Sequence, residues 1–216
     1  MGDPASSQRL LGELTWTELD AERHRPLVVV PCGSTEQHGP HLPLDTDTRI
    51  AVALAHRLAA VTVWPVVVSP ALAFGASGEH QDFAGTVSIG SAALATVLTE
   101  LVRSVRRWSA GVVLLSAHGG NAEALRTVAG TAAVEGDRVL VWPVVVPGGD
   151  AHAGRTETSL LLALDASAVR RAAAAPGATA PVGDLWPRLR SGGVRSVSEN
   201  GVLGDPTGAE IGRAHV

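Results

Sequence analysis

The sequence contains no lysine and no tyrosine, and it has a single cysteine, Cys32. Neither lysine nor tyrosine can therefore be a catalytic group, and Cys32 cannot form a disulfide within the chain. The formal net charge of −4 gives no basic face, which argues against nucleic acid as a partner. No apolar run approaches the roughly 18 residues that a membrane-spanning helix requires. Because no apolar signal segment begins the sequence, we expect a cytoplasmic protein with no membrane partner.

Short apolar runs alternate with helical patterns along the chain. Strands are predicted at 27–30, 61–68, 112–115 and 139–146, and helices from 48 onward, over 94–108, after 121 and around 159–164. Apolar strands that alternate with helices are typical of a mostly parallel sheet covered on both faces. Pro65 interrupts the second run, which predicts a bent strand or one near the sheet edge. We therefore expect an α/β fold, a single three-layer domain over residues 1–209 with a mostly parallel sheet flanked by helices.

The last residues, 210–216, read Glu-Ile-Gly-Arg-Ala-His-Val. This string is what a common sequencing adapter encodes when it is read through to a stop codon. We expect it to be an assembly artefact that stands in place of a native C-terminal helix, and we exclude it from the fold prediction. His215 is accordingly given no functional role.

Almost all of the unusual polar residues lie in three loops that follow predicted strands: 36–47, 118–121 and 150–157. Open α/β sheets form their sites at the carboxyl ends of the strands, so these loops are expected to converge. Glu36 and His38, two apart on an extended stretch, project to the same side. A carboxylate and an imidazole on one side of a loop are suited to holding a metal ion.

The other polar residues complete this pattern. A turn rich in glycine and proline after His38 can return Asp47 to the first pair, and His118 adds a nitrogen from a different strand. The third loop carries His152 and Glu157. Imidazole nitrogen and carboxylate oxygen are ligands of Zn, Mn and Fe. The three loops together predict a divalent metal site.

Several of the polar residues in these loops also have a purely structural interpretation. Asp45 and Asp47 precede a predicted helix, and either is about as well explained as an N-cap. Glu157 stands where a carboxylate complements a helix N-terminus, Asn121 can cap the helix that follows it, and Gly119–Gly120 can be a tight turn. Two further histidines, at surface or helix positions, are expected to be structural: His24 and His56.

Four blocks of the sequence resemble the creatininase family. The stretch 33–47 is very similar to the long first motif of the family, and 118–121 matches its second motif. Residues 80–86 resemble the family's substrate-side loop, and 152–159 resemble a fourth block. The resemblance as a whole extends from about residue 14 to residue 208. The resemblance implies a metal-dependent hydrolase of C–N bonds with a creatininase-like fold.

The resemblance also assigns roles to individual residues. Four positions fall on family metal ligands: Glu36, His38, Asp47 and His118. Asp47 is then the bridge between two ions, and His152 falls on a histidine implicated in proton transfer. Creatininase carries a glutamate at the position that is Gly120 here, so a second ion must use Glu157, use water or be absent. We expect Glu157 to be that ligand.

The expected chemistry follows from such ligands. One or two divalent ions, zinc or iron first and manganese as the alternative, lower the pKa of bound water toward about 7. His152 is the candidate acid for the departing nitrogen, and Glu36 or Glu157 can act as the base. Family members form rings of subunits, so the resemblance also implies a homo-oligomer.

The substrate is narrowed by resemblance within the family. The sequences of 34–36, 45–49 and 200–208 are similar to those of family peptidases that act on a modified precursor peptide. These peptidases release the C-terminal Val-Tyr-derived unit of the peptide. The alternative within the hydrolases is an amidohydrolase or deformylase that acts on a small cyclic amide or formamide. Two further alternatives are a non-catalytic nucleotide-type binding module and a structural protein whose site has decayed. The sequence lacks a Gly-x-Gly-x-x-Gly turn, which argues against the binding module.

Overall fold

A computed structural model describes residues 9–211 of the chain. Its strands are β1 (Leu27–Cys32), β2 (Val66–Val68), β3 (Gly111–Ser116) and β4 (Val139–Pro143). Its α-helices are α1 (Trp16–Asp20), α2 (Thr46–Val61), α3 (Gly90–Val105), α4 (Ala122–Glu135), α5 (Arg155–Asp165) and α6 (Val182–Gly192). Within these residues, no helix is long and apolar enough to cross a membrane.

The four strands form one parallel sheet in the order β2-β1-β3-β4. Leu27 of β1 pairs with Val66 on one side and with Gly111 on the other. Because all strands run the same way, the loops after β1 and β3 leave the sheet at one edge. The predicted mostly parallel sheet is confirmed.

Helices cover both faces of this sheet. Val28 and Val30 of β1 and Leu114 of β3 pack against α3 and α4, while Val29 and Val113 point the other way and pack against α2. This alternation is the period of two that a strand imposes on its side chains. Each fully buried aliphatic side chain stabilises the fold by about 1.5–3 kcal/mol. The three-layer α/β fold is confirmed.

Several element boundaries differ from the prediction. A strand over 61–65 was wrong, because α2 continues to Val61 and Pro65 has no N–H for a ladder, so β2 begins only after it. The expectation of an edge position is confirmed, since β2 is the outermost strand on its side. The strand predicted over 139–146 ends at Pro143, the helix over 94–108 ends at Val105, and the helix predicted near 159 begins already at Arg155.

The described residues end within the segment 210–216 that we expect to be an artefact. Glu210 and Ile211 follow a short 3-10 turn at Pro206–Gly208. Residues 212–216 of the interpreted tail, His215 among them, lie outside the described residues.

Candidate metal centre

The loops after β1 and β3 bring two carboxylates and two histidines together at the carboxyl edge of the sheet. Glu36, His38, Asp47 and His118 are all buried. Oε2 of Glu36 lies 3.2 Å from Nε2 of His118, and Nδ1 of the same imidazole lies 3.2 Å from Oδ2 of Asp47. The other oxygen of Asp47, Oδ1, lies 3.2 Å from Nε2 of His38. Asp47 therefore stands between the two histidines, with one oxygen toward each.

Two groups of three side chains share Asp47. In one, the ligand atoms of Glu36, Asp47 and His118 all lie within 4.8 Å of one another, and in the other the same holds for His38, Asp47 and Glu157. Nε2 of His38 lies 3.8 Å from Oε2 of Glu157. Asp47 is thus the carboxylate common to both groups.

Local hydrogen bonds hold these side chains in place. Asp47 lies in the first turn of α2, where its Oδ2 accepts a hydrogen bond of 2.7 Å from Oγ of Ser34. Asp45 occupies the N-cap position without a capping hydrogen bond from its side chain, and its carboxylate instead pairs with Nε of Arg49 at 2.8 Å. Asp45 therefore does stand at the N-cap, as one alternative predicts, but without a capping hydrogen bond from its side chain, whereas Asp47 lies inside the helix.

The carboxylate of Glu36 fits a bound cation. Its residue is 0% exposed, and neither carboxylate oxygen has a hydrogen-bond partner among the described residues. Burial raises the pKa of Glu36, but the combined attraction of His118 and His80 outweighs it, and the pKa falls to about 2. A buried carboxylate that stays charged and makes no hydrogen bond is costly unless a cation lies beside it. The residues present therefore suit a divalent ion.

The two facing histidines carry the compensating charge when protonated. Burial lowers the pKa of His38, but Asp47 raises it more strongly, to about 10. For His118 the attraction of Glu36 and Asp47 likewise overcomes burial and holds the pKa well above its usual range. Nδ1 of His38 lies 3.2 Å from the backbone oxygen of Glu36, so Nε2 is the nitrogen that faces the carboxylates. A metal that binds here must displace these protons.

Glu157 lies in the first turn of α5, on the side of His38. Its Oε2 accepts a hydrogen bond of 2.6 Å from the backbone N–H of Ala153. Burial raises its pKa to about 7. The carboxylate thus interacts with the start of α5, as its structural interpretation predicts, and at the same time faces the second group of candidate ligands.

His152 lies on the third loop, inside the same cluster. Its Nε2 lies 2.8 Å from the backbone oxygen of Gln37, and its Nδ1 lies 3.7 Å from Oε1 of Glu36. It forms a further group of three possible ligands with Glu36 and His38. Burial and the nearby positive charge of His38 lower its pKa well below the usual value. An imidazole in this position is neutral near pH 7 and can accept a proton.

Two site residues received no role from the sequence. His80 is buried in the long loop before α3, and its Nε2 lies 3.4 Å from Oε1 of Glu36. Gln37 is also buried, and its amide contacts both His80 and His152. The resemblance of 80–86 to a family block was a signal for His80, whereas Gln37 had no signal beyond its place between two candidate ligands.

The structure also tests the structural interpretations of Asn121, His24 and His56. Asn121 is at the N-cap position of α4, but its side chain makes no cap hydrogen bond. It donates to the backbone oxygen of Gly33 at 3.0 Å and accepts from the backbone N–H of Ala76 at 3.0 Å, so it ties two site loops together. His24 packs on Trp64 at the surface, and His56 lies in α2; neither belongs to a group of candidate ligands.

Gly120 allows the loop before α3 to pack onto the second motif. A β-carbon at Gly120 would lie 2.3 Å from the backbone oxygen of Ala76, 2.4 Å from Nε2 of His118 and 2.7 Å from Oε1 of Glu79. No side chain fits at this position while the loop stays where it is. The carboxylate of Glu79 occupies the space beside Gly120, and no role is predicted for Glu79 from the sequence.

A cavity of about 1200 Å³ opens onto this cluster. The walls include His118, His152 and Glu157, and α6 contributes Trp186 and Arg190. A space of this volume admits a ligand of several residues or a drug-sized molecule.

Known proteins resemble this chain over nearly its whole length. A mycofactocin precursor peptide peptidase of Mycolicibacterium smegmatis is 52% identical over 188 residues, covering 85% of this chain and 76% of that protein. A protein of the same name from Mycobacterium tuberculosis is 48% identical over 207 residues, covering 92% of this chain and 82% of that protein.

Solved creatininase structures share the fold. A crystal structure of creatinine amidohydrolase matches with a TM-score of 0.74 at 25% identity, covering 95% of this chain and 90% of that one. A creatininase described as the Mn form matches with a TM-score of 0.73 at 25% identity, and a creatininase variant described as Zn-Zn type with 0.74 at 26%. Each covers 93% of this chain and 89% of that one.

A family model completes the comparison. The model of the creatininase family, described as creatinine amidohydrolase, matches residues 12–215. The match includes all three loops that form the candidate metal centre. The chain belongs to the creatininase family.

Proposed function

We propose that this chain is a metal-dependent peptidase that acts on the modified mycofactocin precursor peptide and releases its C-terminal Val-Tyr-derived unit. The observation that carries the proposal is the pair of ligand groups that share Asp47, buried except for the partly exposed Glu157, and that face a cavity of about 1200 Å³. Identities of 52% and 48% to two mycofactocin precursor peptide peptidases support the choice of a peptide substrate.

The ligand groups divide between two ions in this proposal. Glu36, Asp47 and His118 hold one ion, and His38, Asp47 and Glu157 hold the second. A divalent ion, when bound here, polarises a carbonyl group and lowers the pKa of a coordinated water toward about 7. We expect zinc or iron, with manganese as the alternative; solved relatives at 25–26% identity include an Mn form and a Zn-Zn form.

His152 moves the proton in the proposed reaction. Its pKa is lowered well below the usual value, so it is neutral near pH 7 and Nδ1 can accept the proton of the attacking water. It then gives that proton to the amide nitrogen, which departs as an amine as the C–N bond breaks. Glu157, with a pKa of about 7, is the second candidate for this exchange.

The test follows the products of the natural substrate class by mass. The purified protein, loaded separately with zinc, iron and manganese, is incubated with the modified precursor peptide, and a Glu36→Gln variant serves as the inactive control. Release of a dipeptide-sized unit by the parent protein and not by the variant is the expected result. Turnover of creatinine or of a formamide, with the peptide left intact, would replace the proposal by the small-molecule alternative.

We also propose that the chain forms a homo-oligomer in the cytoplasm. Strand β4 is an outermost strand, and large apolar side chains on and just after it are exposed, namely Leu140, Trp142 and Val145. Burial of such a surface between copies of the chain is favourable. Analytical ultracentrifugation of the parent protein and of a Trp142→Glu variant tests this part of the proposal. Equal masses for the parent protein and the variant would contradict it.

A further inference from the structure

The side chain of Gln37 lies between two histidines of the site. Its amide nitrogen is 2.8 Å from Nδ1 of His80 and 3.0 Å from Nε2 of His152. The two imidazole rings are adjacent, with centroids 4.4 Å apart. Both face Oε1 of Glu36, His80 through Nε2 at 3.4 Å and His152 through Nδ1 at 3.7 Å. At comparable distances from the same carboxylate oxygen, the two rings can differ in whether the nitrogen that faces this oxygen carries the proton.

Two backbone groups fix the orientation of the Gln37 amide. Its Oε1 accepts a hydrogen bond of 2.9 Å from the N–H of Gly39, and its Nε2 donates one of 3.1 Å to the carbonyl oxygen of Gly201. A backbone N–H can only donate and a carbonyl oxygen can only accept. Rotation of the amide by half a turn would therefore break both hydrogen bonds and leave buried polar groups without partners.

This orientation determines the protonation of His80. The first amide hydrogen of Gln37 is directed to Gly201, and the second is directed to Nδ1 of His80. Nδ1 must then accept, so the single proton of the neutral ring is on Nε2, the nitrogen that faces Glu36. While it carries the proton, this nitrogen has no free lone pair, so it cannot bind a metal ion in this tautomer.

The backbone of Gln37 determines the protonation of His152. In this ring the nitrogen that faces Glu36 is the one without the proton. Nε2 of His152 lies 2.8 Å from the carbonyl oxygen of Gln37, which can only accept, so Nε2 carries the proton. The lone pair is then on Nδ1, the nitrogen that faces Glu36. The amide nitrogen of Gln37 also lies 3.0 Å from this Nε2. Because both nitrogens are donors in this tautomer, the contact is not a hydrogen bond.

We propose that Gln37 is a positioning residue that sets the tautomers of both histidines, His80 through its side chain and His152 through its backbone carbonyl. His80 thereby presents an N–H to Glu36, and His152 presents a lone pair. The significance for catalysis rests on the proposed function, in which Nδ1 of His152 moves the proton, but the tautomers themselves do not depend on it.

Gly201 explains how the late block 200–208 contributes to the site. A β-carbon at Gly201 would lie 1.9 Å from Oε1 of Gln37, and the residue has a φ of +81° that favours glycine. Only glycine lets this carbonyl reach the amide nitrogen of Gln37. The block thus closes over the amide and holds it in one orientation.

The experiment measures tautomers directly, by nitrogen NMR of protein labelled with ¹⁵N-histidine, in the zinc-loaded and the chelated forms. His80→Gln and His152→Gln variants assign the two sets of signals. In the parent protein we expect Nε2 protonated on both rings, with Nδ1 in the pyridine-like region of the spectrum. A pyrrole-like Nδ1 on either ring of the parent protein would overturn the proposal without any variant at position 37.

Two variants at Gln37 separate the side chain from the backbone. Gln37→Glu replaces the donating nitrogen by an accepting oxygen, so His80 should move its proton to Nδ1. Gln37→Met removes the hydrogen bond, so His80 should lose its preference. His152 should keep its proton on Nε2 in both variants, because the carbonyl oxygen of residue 37 remains.

The matched control is Gln81→Glu, which makes the same change at an exposed position next to His80. It adds the same charge without contact to the amide network, and the tautomers should be unchanged. An identical His80 spectrum in the parent, Gln37→Glu and Gln37→Met proteins would also overturn the proposal. Since no substrate is present, failure of the peptidase proposal would leave this result unaffected.

Discussion

The backbone oxygen of Ala76 lies 2.3 Å from the point where a β-carbon on Gly120 would stand. This contact closes position 120 to any side chain in the present fold. Oε1 of Glu79 lies 2.7 Å from the same point, so a carboxylate from another loop occupies the adjoining space. Residue 120 therefore offers no carboxylate to a metal ion, and Glu157 is the candidate that lies within ligand distance of His38 and Asp47.

Substitution at Gly120 should accordingly destabilise the protein. In Gly120→Ala the new methyl group meets a backbone atom that cannot rotate away, and overpacking of this kind costs about 1–3 kcal/mol. Urea unfolding followed by tryptophan fluorescence measures the loss. Gly119→Ala is the matched control, because a β-carbon there has nothing within 4 Å. Equal stability of the two variants would contradict the close packing of the 76–80 loop.

Asp47 and Asp45 should differ sharply in their effect on metal content. Asp47→Asn removes charge from the carboxylate shared by both ligand groups, so metal should be lost and turnover should fall by more than about 100-fold. Asp45→Asn changes a half-exposed residue paired with Arg49, and an exposed pair of this kind is worth about 0–1 kcal/mol. Elemental analysis and product release measure the two effects. Full metal occupancy in Asp47→Asn would exclude Asp47 as the bridge.

The sheet and the candidate ligands were predictable because both are encoded locally. A run such as 27–30 can only be buried, and the polar residues that follow it are then placed at the sheet edge. The contacts of Gln37 and Glu79 were not predictable. They depend on where the 76–80 loop and Gly201 pack, tens of residues away along the chain. The periodicity of a sequence predicts helices and strands but not a contact between distant loops. His80 was within a recognised block, but its partner Glu36 became evident only from the fold.

His152 is expected to act on the proton and not to hold the metal. His152→Ala should reduce turnover by about 10²–10⁴-fold, the usual contribution of a positioned acid or base, while metal content stays at the level of the parent protein. His56→Ala, a change of the same kind in α2 away from the cluster, should leave both quantities unaltered. Because Glu36, His38 and His152 also form a group of possible ligands, loss of metal in His152→Ala would move His152 into the ligand set.

Metal binding should release protons near neutral pH. In the absence of an ion, the carboxylate of Asp47 raises the pKa of His38 to about 10, so this imidazole is protonated at pH 7.5. The pKa of His118 is held well above its usual value, by Glu36 and Asp47, so it is protonated as well. A ligand nitrogen must give up its proton, and the affinity should therefore fall as the pH is lowered. Calorimetric titration of the chelated protein with zinc, in buffers of different ionisation enthalpy at one pH, measures the protons released. Heats that do not depend on the buffer would mean that neither histidine exchanges a proton for the metal.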